Sequence, residues 1–469
     1  MDAQQVVWIG LGMENFAAAR LGDRRRTRRL VRTADRILSR PGGTLPDKLQ
    51  SPAELKGLYR LVDAEEVTHA AVLEPHRRRT LAQMRTCEED VLIVHDTTEL
   101  DYTGKKSLDG LGQIGNGSRR GYLCHNSLAV AVPSRKVLGL ANQILHCRPM
   151  APENETRAQR REKSDRESRL WKRGSEATGA APPGRRWIDV CDRGGDIFEY
   201  LDFKHAGGGH YLVRSRHDRR IEVDEETGKR REQLHTYARS LPRLGEKTIE
   251  VPPRDGRAGR TARVGIGAGV VTVPPPQNPR GEHGAGPLTL WVVYAGEIDP
   301  PAGVEPVEWI LLTNVPTEGL DQACERIAWY SCRWMVEEYH KAQKTGCGIE
   351  LPQFTKVERL EPVIALLSVI AVYLLQLRSS SRRPDAKEES ADRIVPALHV
   401  AVLCAWRYRE VRAEMTVHDF YFALARLGGH QNRRHDHPPG WLVLWRGWMK
   451  LEDMVAGAAA MERLRCGQT

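Results

Sequence analysis

Tyr330-Ser-Cys-Arg333-Trp-Met-Val-Glu337-Glu-Tyr-His-Lys-Ala-Gln-Lys344 is the stretch on which the reading of this chain turns. Its periodicity predicts a long helix. At about 100° per residue, Tyr330, Arg333, Glu337 and Lys344 fall at roughly 0°, 300°, 340° and 320°, one stripe about 60° wide, while Glu338 points near 80°. Glu337 therefore shares a face with an arginine one turn before it and a lysine two turns after it. On a surface helix, Arg-x3-Glu is most often an ion pair contributing a few tenths of a kcal/mol. The functional alternative is a carboxylate flanked by cations that grip phosphates, Arg bidentately and Lys as a point charge.

Two further acids complete the pattern. Val91-Leu-Ile-Val-His-Asp96 and Trp187-Ile-Asp-Val-Cys-Asp192 are short apolar runs, each ending in an acid, and both predict strands of a mixed or parallel sheet with the acid at the strand end. An acid there is rigidly placed, and a helical acid can approach it across the sheet. Phosphoryl transfer on DNA asks a protein for hard oxygen ligands. Two Mg²⁺ ions roughly 3.5–4 Å apart, held by carboxylates, activate the attacking oxygen and stabilise the leaving one. Strand-end acids also serve as turn formers and helix caps. Asp189 and Asp196 are rivals to Asp192, but one lies mid-strand and the other beyond it, where structural roles predominate.

The surrounding chain has 469 residues, 71 Lys+Arg against 61 Asp+Glu, a net charge of +10 and a pI near 9.2. That size with 40% hydrophobic residues excludes disordered and disulfide-stapled miniature classes, and the charge makes polyanions reasonable partners. Residues 14–90 read as helical, with turns at Arg40-Pro-Gly-Gly43 and Leu45-Pro-Asp47. Two arginine clusters lie in this part, Arg24 to Arg32 after a helix start at Asp23, and Arg77 to Arg79. Strands follow from Glu89. The polar stretch Pro152 to Arg173 reads as a solvated helix, residues 206–320 as β-rich with Gly/Pro loops, and the chain from Asp321 onward as helical again.

The string Tyr330-x2-Arg333-x3-Glu337-x6-Lys344, with Leu21-Gly-Asp-x-Arg25, Lys56-Gly-x-Tyr59-Arg60, Asp96-Thr-Thr98, Cys191-Asp-Arg-x-x-Asp196-Ile197, Val213-Arg-Ser215 and Trp441-x3-Trp445-x-Gly-Trp448, resembles the IS-four family of bacterial cut-and-paste DNA transposases over nearly the whole chain. The resemblance implies an α/β fold with a ribonuclease-H-like catalytic core interrupted by a β-rich insertion, between N- and C-terminal helical domains. It divides the chain into 1–85 for DNA binding, 86–205 and 321–380 for the core, 206–320 for the insertion, and 381–469 for a dimerisation domain. It implies an Asp96, Asp192, Glu337 triad holding two Mg²⁺ ions, with Mn²⁺ as a substitute. Tyr330, Arg333, Lys344, Arg214, Arg216, Arg25, Arg28 and Arg29 would contact DNA, and Trp309 would stack on a base extruded during hairpin formation. For Trp309 the opposing reading is a buried strand residue. The implied partners are double-stranded DNA, as element ends and target, and a second copy of the chain. A catalytically silent DNA-binding regulator and a nuclease without strand transfer are the alternatives.

Other signals bound the reading. Nine scattered cysteines with no Cys-x-x-Cys pair argue against a zinc knuckle or a disulfide framework and for a reducing cytoplasm. The first thirty residues lack a signal-peptide pattern. Pro362 to Leu377 falls short of the ~20 residues that span a bilayer and reads as a buried core helix. Gly110-Leu-Gly-x-x-Gly115-Asn-Gly117 lacks the Lys-Ser/Thr of a nucleotide-binding loop, so no nucleotide cofactor is expected. His435 and His437, in a Pro-rich polar loop, read as solvated rather than metal-binding.

Overall fold

The computed structural model describes residues 9–465 apart from 149–155, 157–158, 160–162, 164, 226–227, 252–258, 277–281, 382–383, 394, 411–414, 434–435 and 437–438. His435, His437 and, of the polar stretch from Pro152 to Arg173, residues 152–155, 157–158, 160–162 and 164 lie outside the described residues; the helix described there is α6, Leu170–Thr178.

Five helices come first: α1 (Ile9–Phe16), α2 (Arg24–Ser39), α3 (Leu45–Leu49), α4 (Pro52–Val62) and α5 (His69–Thr86). Asp23 caps α2 by accepting the Arg25 N–H at 2.7 Å, and the helix buries Leu30, Ala34, Ile37 and Leu38 on one face. Leu45-Pro-Asp47, expected as a turn, opens α3 instead. Proline is tolerated in a first turn because no N–H is required there, and Thr44 and Asp47 close a reciprocal capping box.

The twelve strands among the described residues join one mixed sheet. They are β1 (Asp90–Asp101), β2 (Gly112–Gln113), β3 (Arg120–Val132), β4 (Lys136–His146), β5 (Trp187–Cys191), β6 (His210–Arg214), β7 (Arg220–Glu225), β8 (Gly228–Gln233), β9 (Gly245–Val251), β10 (Arg260–Val273), β11 (Leu288–Glu297) and β12 (Glu308–Thr313). At one side β4, β3 and β1 form an antiparallel meander, and β1, β5 and β6 then run parallel. The strands of 206–320 continue this sheet, because β6, the first of them, pairs parallel with β5, and β12 pairs antiparallel with β6 and leads on to β11 and β10. The glycine-rich 110–117 loop forms the short edge strand β2 and opens no helix.

Among the later helices are α7 (Phe198–Ala206), α8 (Leu234–Ser240), α9 (Leu320–Ser331), α10 (Trp334–Lys341), α11 (Val357–Ser380), α12 (Ala397–Tyr408), α13 (Val417–Leu427) and α14 (Trp441–Arg465). Helix α11 has the length and mean hydropathy (2.1) to cross a membrane, yet 78% of its apolar window is buried inside the fold. It is the core helix, packed on α5 and β4. Trp441, Trp445 and Trp448 are buried as well, so their spacing makes an intramolecular stripe rather than an exposed dimer face. The eight cysteines among the described residues are free.

Two local expectations need correction. The single long helix breaks at Cys332 and Arg333 into α9 and α10, and a π turn, Ala342–Gly346, follows α10. Asp96 does not end its strand: β1 continues to Asp101 because β3 remains its partner to the last residue.

Candidate active site

Sheet register explains where two of the acids meet. Strand β5 pairs with β1 only from Val91↔Trp187 to His95↔Cys191, so Asp96 and Asp192 both follow the last rung of that parallel ladder. At that rung β5 ends in a short 3₁₀ turn, and the Asp192 carboxylate accepts the Gly194 N–H at 2.9 Å. Asp96 is largely buried and accepts the Thr97 N–H at 2.8 Å. Burial raises its pKa most, the Asp192 charge next, and Glu337 adds to both; Arg333 and the Thr97 N–H oppose them. The outcome is a pKa raised to about 7.

Arg333 joins the strand acid to the helical one. One guanidinium nitrogen lies 3.4 Å from Asp96 Oδ2, and another bonds Glu337 Oε1 across one helical turn. Burial alone would lower the Arg333 pKa, but Tyr330, Glu337 and Asp96 around it hold it above its usual range. Tyr330 lies beneath, with the guanidinium 6.0 Å from its ring centre. Among the described residues, no three His, Cys, Asp or Glu side chains are grouped to hold a metal ion as they stand. The Arg333 guanidinium occupies the space between Asp96 and Glu337.

Helix α10 is keyed into place by polar contacts on its buried side. Asn126, the cross-strand partner of Asp96, lies 3.1 Å from His340 Nε2, and burial lowers the His340 pKa to about 3, leaving the ring neutral. Gln143 joins Asn126 (2.7 Å) to Ser368 (3.0 Å) on α11, and Gln343 reaches the same hydroxyl at 3.0 Å. Glu338 points away from Glu337, as its helical angle requires. It pairs with buried Arg378 and accepts the Trp441 indole N–H at 2.9 Å, tying α10 to α11 and α14. Lys344, on the π turn, lies 3.7 Å from Glu350.

The side toward the β-rich strands presents the remaining candidates. Trp309 on β12 is half-buried and meets Tyr330 edge to face, ring centres 5.0 Å apart. Arg214, one strand over, donates to the Glu308 carbonyl at 2.8 Å; burial lowers its pKa, and Tyr330 opposes that shift. Arg216 is exposed, and its N–H bonds Asp196 at 2.7 Å. Asp196 also accepts the His217 N–H at 2.9 Å and pairs with Arg219, so this acid organises the loop that displays Arg216. Asp189 is enclosed by Lys204 and Tyr200, both at 2.8 Å. Sequence reasoning overlooked Arg193, exposed beside Asp192 and close enough to lower the pKa of Arg214. Its adjacency to the acid was the available signal.

The arginines of the N-terminal helices divide by partner. Arg25 pairs with Asp23, Arg26 with Glu66, and Arg29 and Arg32 both with Glu54. Arg77 and Arg78 pair with Glu74, and Arg79 with Glu14. Arg24 and Arg28 are exposed and have no acidic partner among the described residues. Residues 12–67, which contain this first cluster, match a family model described as transposase DNA-binding. The match supports DNA as the partner of this region and a DNA-binding transposase as the class of protein.

Proposed function

We propose that the chain is a cut-and-paste DNA transposase of the IS-four kind, with Asp96, Asp192 and Glu337 as its metal-holding carboxylates on a ribonuclease-H-like core. The observation that carries this reading is the convergence on Arg333 of two acids far apart in sequence, with a third raising the Asp96 pKa. Asp96 and Glu337 share the Arg333 guanidinium, and the Asp192 charge is close enough to raise the Asp96 pKa, which gathers three acids in a partly buried site. The antiparallel meander β4-β3-β1 followed by parallel β5 and β6 also supports a ribonuclease-H-like arrangement.

The donor set fits the implied cofactor, since carboxylate oxygens suit Mg²⁺ and Mn²⁺. When bound, such ions act as Lewis acids that activate an attacking water or 3′-OH and stabilise the leaving oxygen. The chain's own groups would do the rest. Arg333, released from Asp96 and Glu337, would grip the scissile phosphate, with Lys344 as a second cation. Arg214 and exposed Arg216 would hold the adjoining strand, and Arg28 would anchor flanking duplex. Trp309, braced by Tyr330, would receive the base extruded when a hairpin forms, a stacking gain of about 1–3 kcal/mol. A homodimer on paired ends belongs to this reading, but Trp441, Trp445 and Trp448 are committed to the core and would not supply its contact.

The test is cleavage of supercoiled plasmid carrying the element's ends. Wild type should nick it with Mg²⁺, and Glu337→Gln should abolish nicking while still binding the ends. Nicking that survives the change removes the mechanism; no nicking by wild type favours the regulator; nicks without hairpins favour the simple nuclease.

A further inference from the structure

We propose a second, non-catalytic DNA-backbone site: a cation-lined cavity between the N-terminal helices, the β3–β4 turn and α11. Its volume is about 370 Å³, within the range of built ligand sites. Arg79, Arg135, Lys136 and Arg393 line it, and Glu14 is the one acid among the lining residues. Glu14 is taken by Arg79 at 2.9 Å. Arg135, Lys136 and Arg393 are exposed and have no acidic partner among the described residues. Glu89, near the turn, is engaged by the Ser134 N–H at 2.8 Å. Three cations from two separate chain segments thus face one concavity with nothing to neutralise them, which suits phosphate oxygens.

The DNA-binding match selects the phosphates of DNA. Glu14 and Asn15, which line the cavity, belong to the stretch that matches a transposase DNA-binding family, and this continuity is what ties the cavity to DNA. The cavity is also distinct from the acids. Asp90 pairs with Val132 at the β3–β4 turn, and Asp96 stands six residues farther along β1, roughly 20 Å at ~3.3 Å per residue. Its contribution would be affinity and the path of the DNA, not chemistry. The inference rests on DNA being the partner.

Salt dependence of duplex binding by the full chain tests it, measured by fluorescence anisotropy with a random-sequence duplex. The triple variant Arg135→Gln, Lys136→Gln, Arg393→Gln should reduce the slope of log affinity against log salt by about 2–3, at ~0.9 for each phosphate no longer neutralised. Arg135→Lys with Arg393→Lys should keep the wild-type slope. An unchanged slope in a triple variant that still binds DNA and keeps its melting temperature overturns the proposal. Pyrophosphate is the second probe: thermal stabilisation of wild type but not of the triple variant, with identical DNA slopes, would assign the cavity to a free phosphate compound and likewise overturn it. Wild type that binds no duplex would fail the functional reading first and this one with it.

Discussion

Replacing Asp96 with asparagine should stabilise the protein while removing its proposed activity. The Asp96 carboxyl has a pKa of about 7 against an ordinary 3.8. Between those values the folded state holds a proton that the unfolded chain has lost, so stability falls as pH rises from about 4 to about 7, and the penalty is complete above that. At about 1.4 kcal/mol per pH unit, the ionised acid costs ~4 kcal/mol at pH 8. Asparagine keeps an oxygen to accept the Thr97 N–H and carries no charge, and Arg333 keeps Glu337. Urea unfolding of both proteins without divalent ions should show the variant more stable by up to ~4 kcal/mol at pH 8, by about half that at pH 5.5, and by ~0 at pH 4. A variant less stable at pH 8, or a gain that does not change with pH, would refute the electrostatic reasoning.

Other expected outcomes follow from the same contacts. Glu338→Gln leaves buried Arg378 short of a charge partner and should cost ~3 kcal/mol in urea unfolding, part of it regained by adding Arg378→Met; a loss below ~1 kcal/mol would show that the clamp on α10 is dispensable. Trp309→Ala should leave first-strand nicking intact and reduce hairpin product, resolved on denaturing gels; equal loss of both products would make the tryptophan a core residue instead. Arg28→Ala should lower the salt slope of DNA binding by ~0.9 without changing the melting temperature. Arg29→Ala should lower the melting temperature, because it removes a partner of Glu54, a largely buried carboxylate.

What was legible in the sequence was legible for local reasons. The helical angle separating Glu337 from Glu338 survives in the structure, since both lie within the regular turns of α10. The cap at Asp23 was visible because capping is a matter of neighbouring residues. Extrapolation failed where the backbone left ideal geometry: no periodicity marks the break at Cys332 or the π turn at 342–346, which alters the angle leading to Lys344. Asp96 looked terminal because the apolar run ends there. The strand continues as 97–101 because its pairing with β3 needs backbone groups, not apolar side chains. The β7–β8 hairpin was invisible for the same reason: Gly228–Gln233 is almost wholly exposed and polar. Composition marked residues 206–320 as β-rich, yet could not say that they extend the core sheet, a fact that depends on β6 pairing with β5 of the core and with β12 beyond it.

The most direct measurement of the central claim is binding of Mn²⁺, followed by its electron paramagnetic resonance signal, to wild type and to Asp96→Asn, Asp192→Asn and Glu337→Gln, each with end DNA present. The account predicts specific binding in wild type and its loss in each single variant, with end-DNA affinity retained. Undiminished binding in all three would contradict a shared carboxylate site.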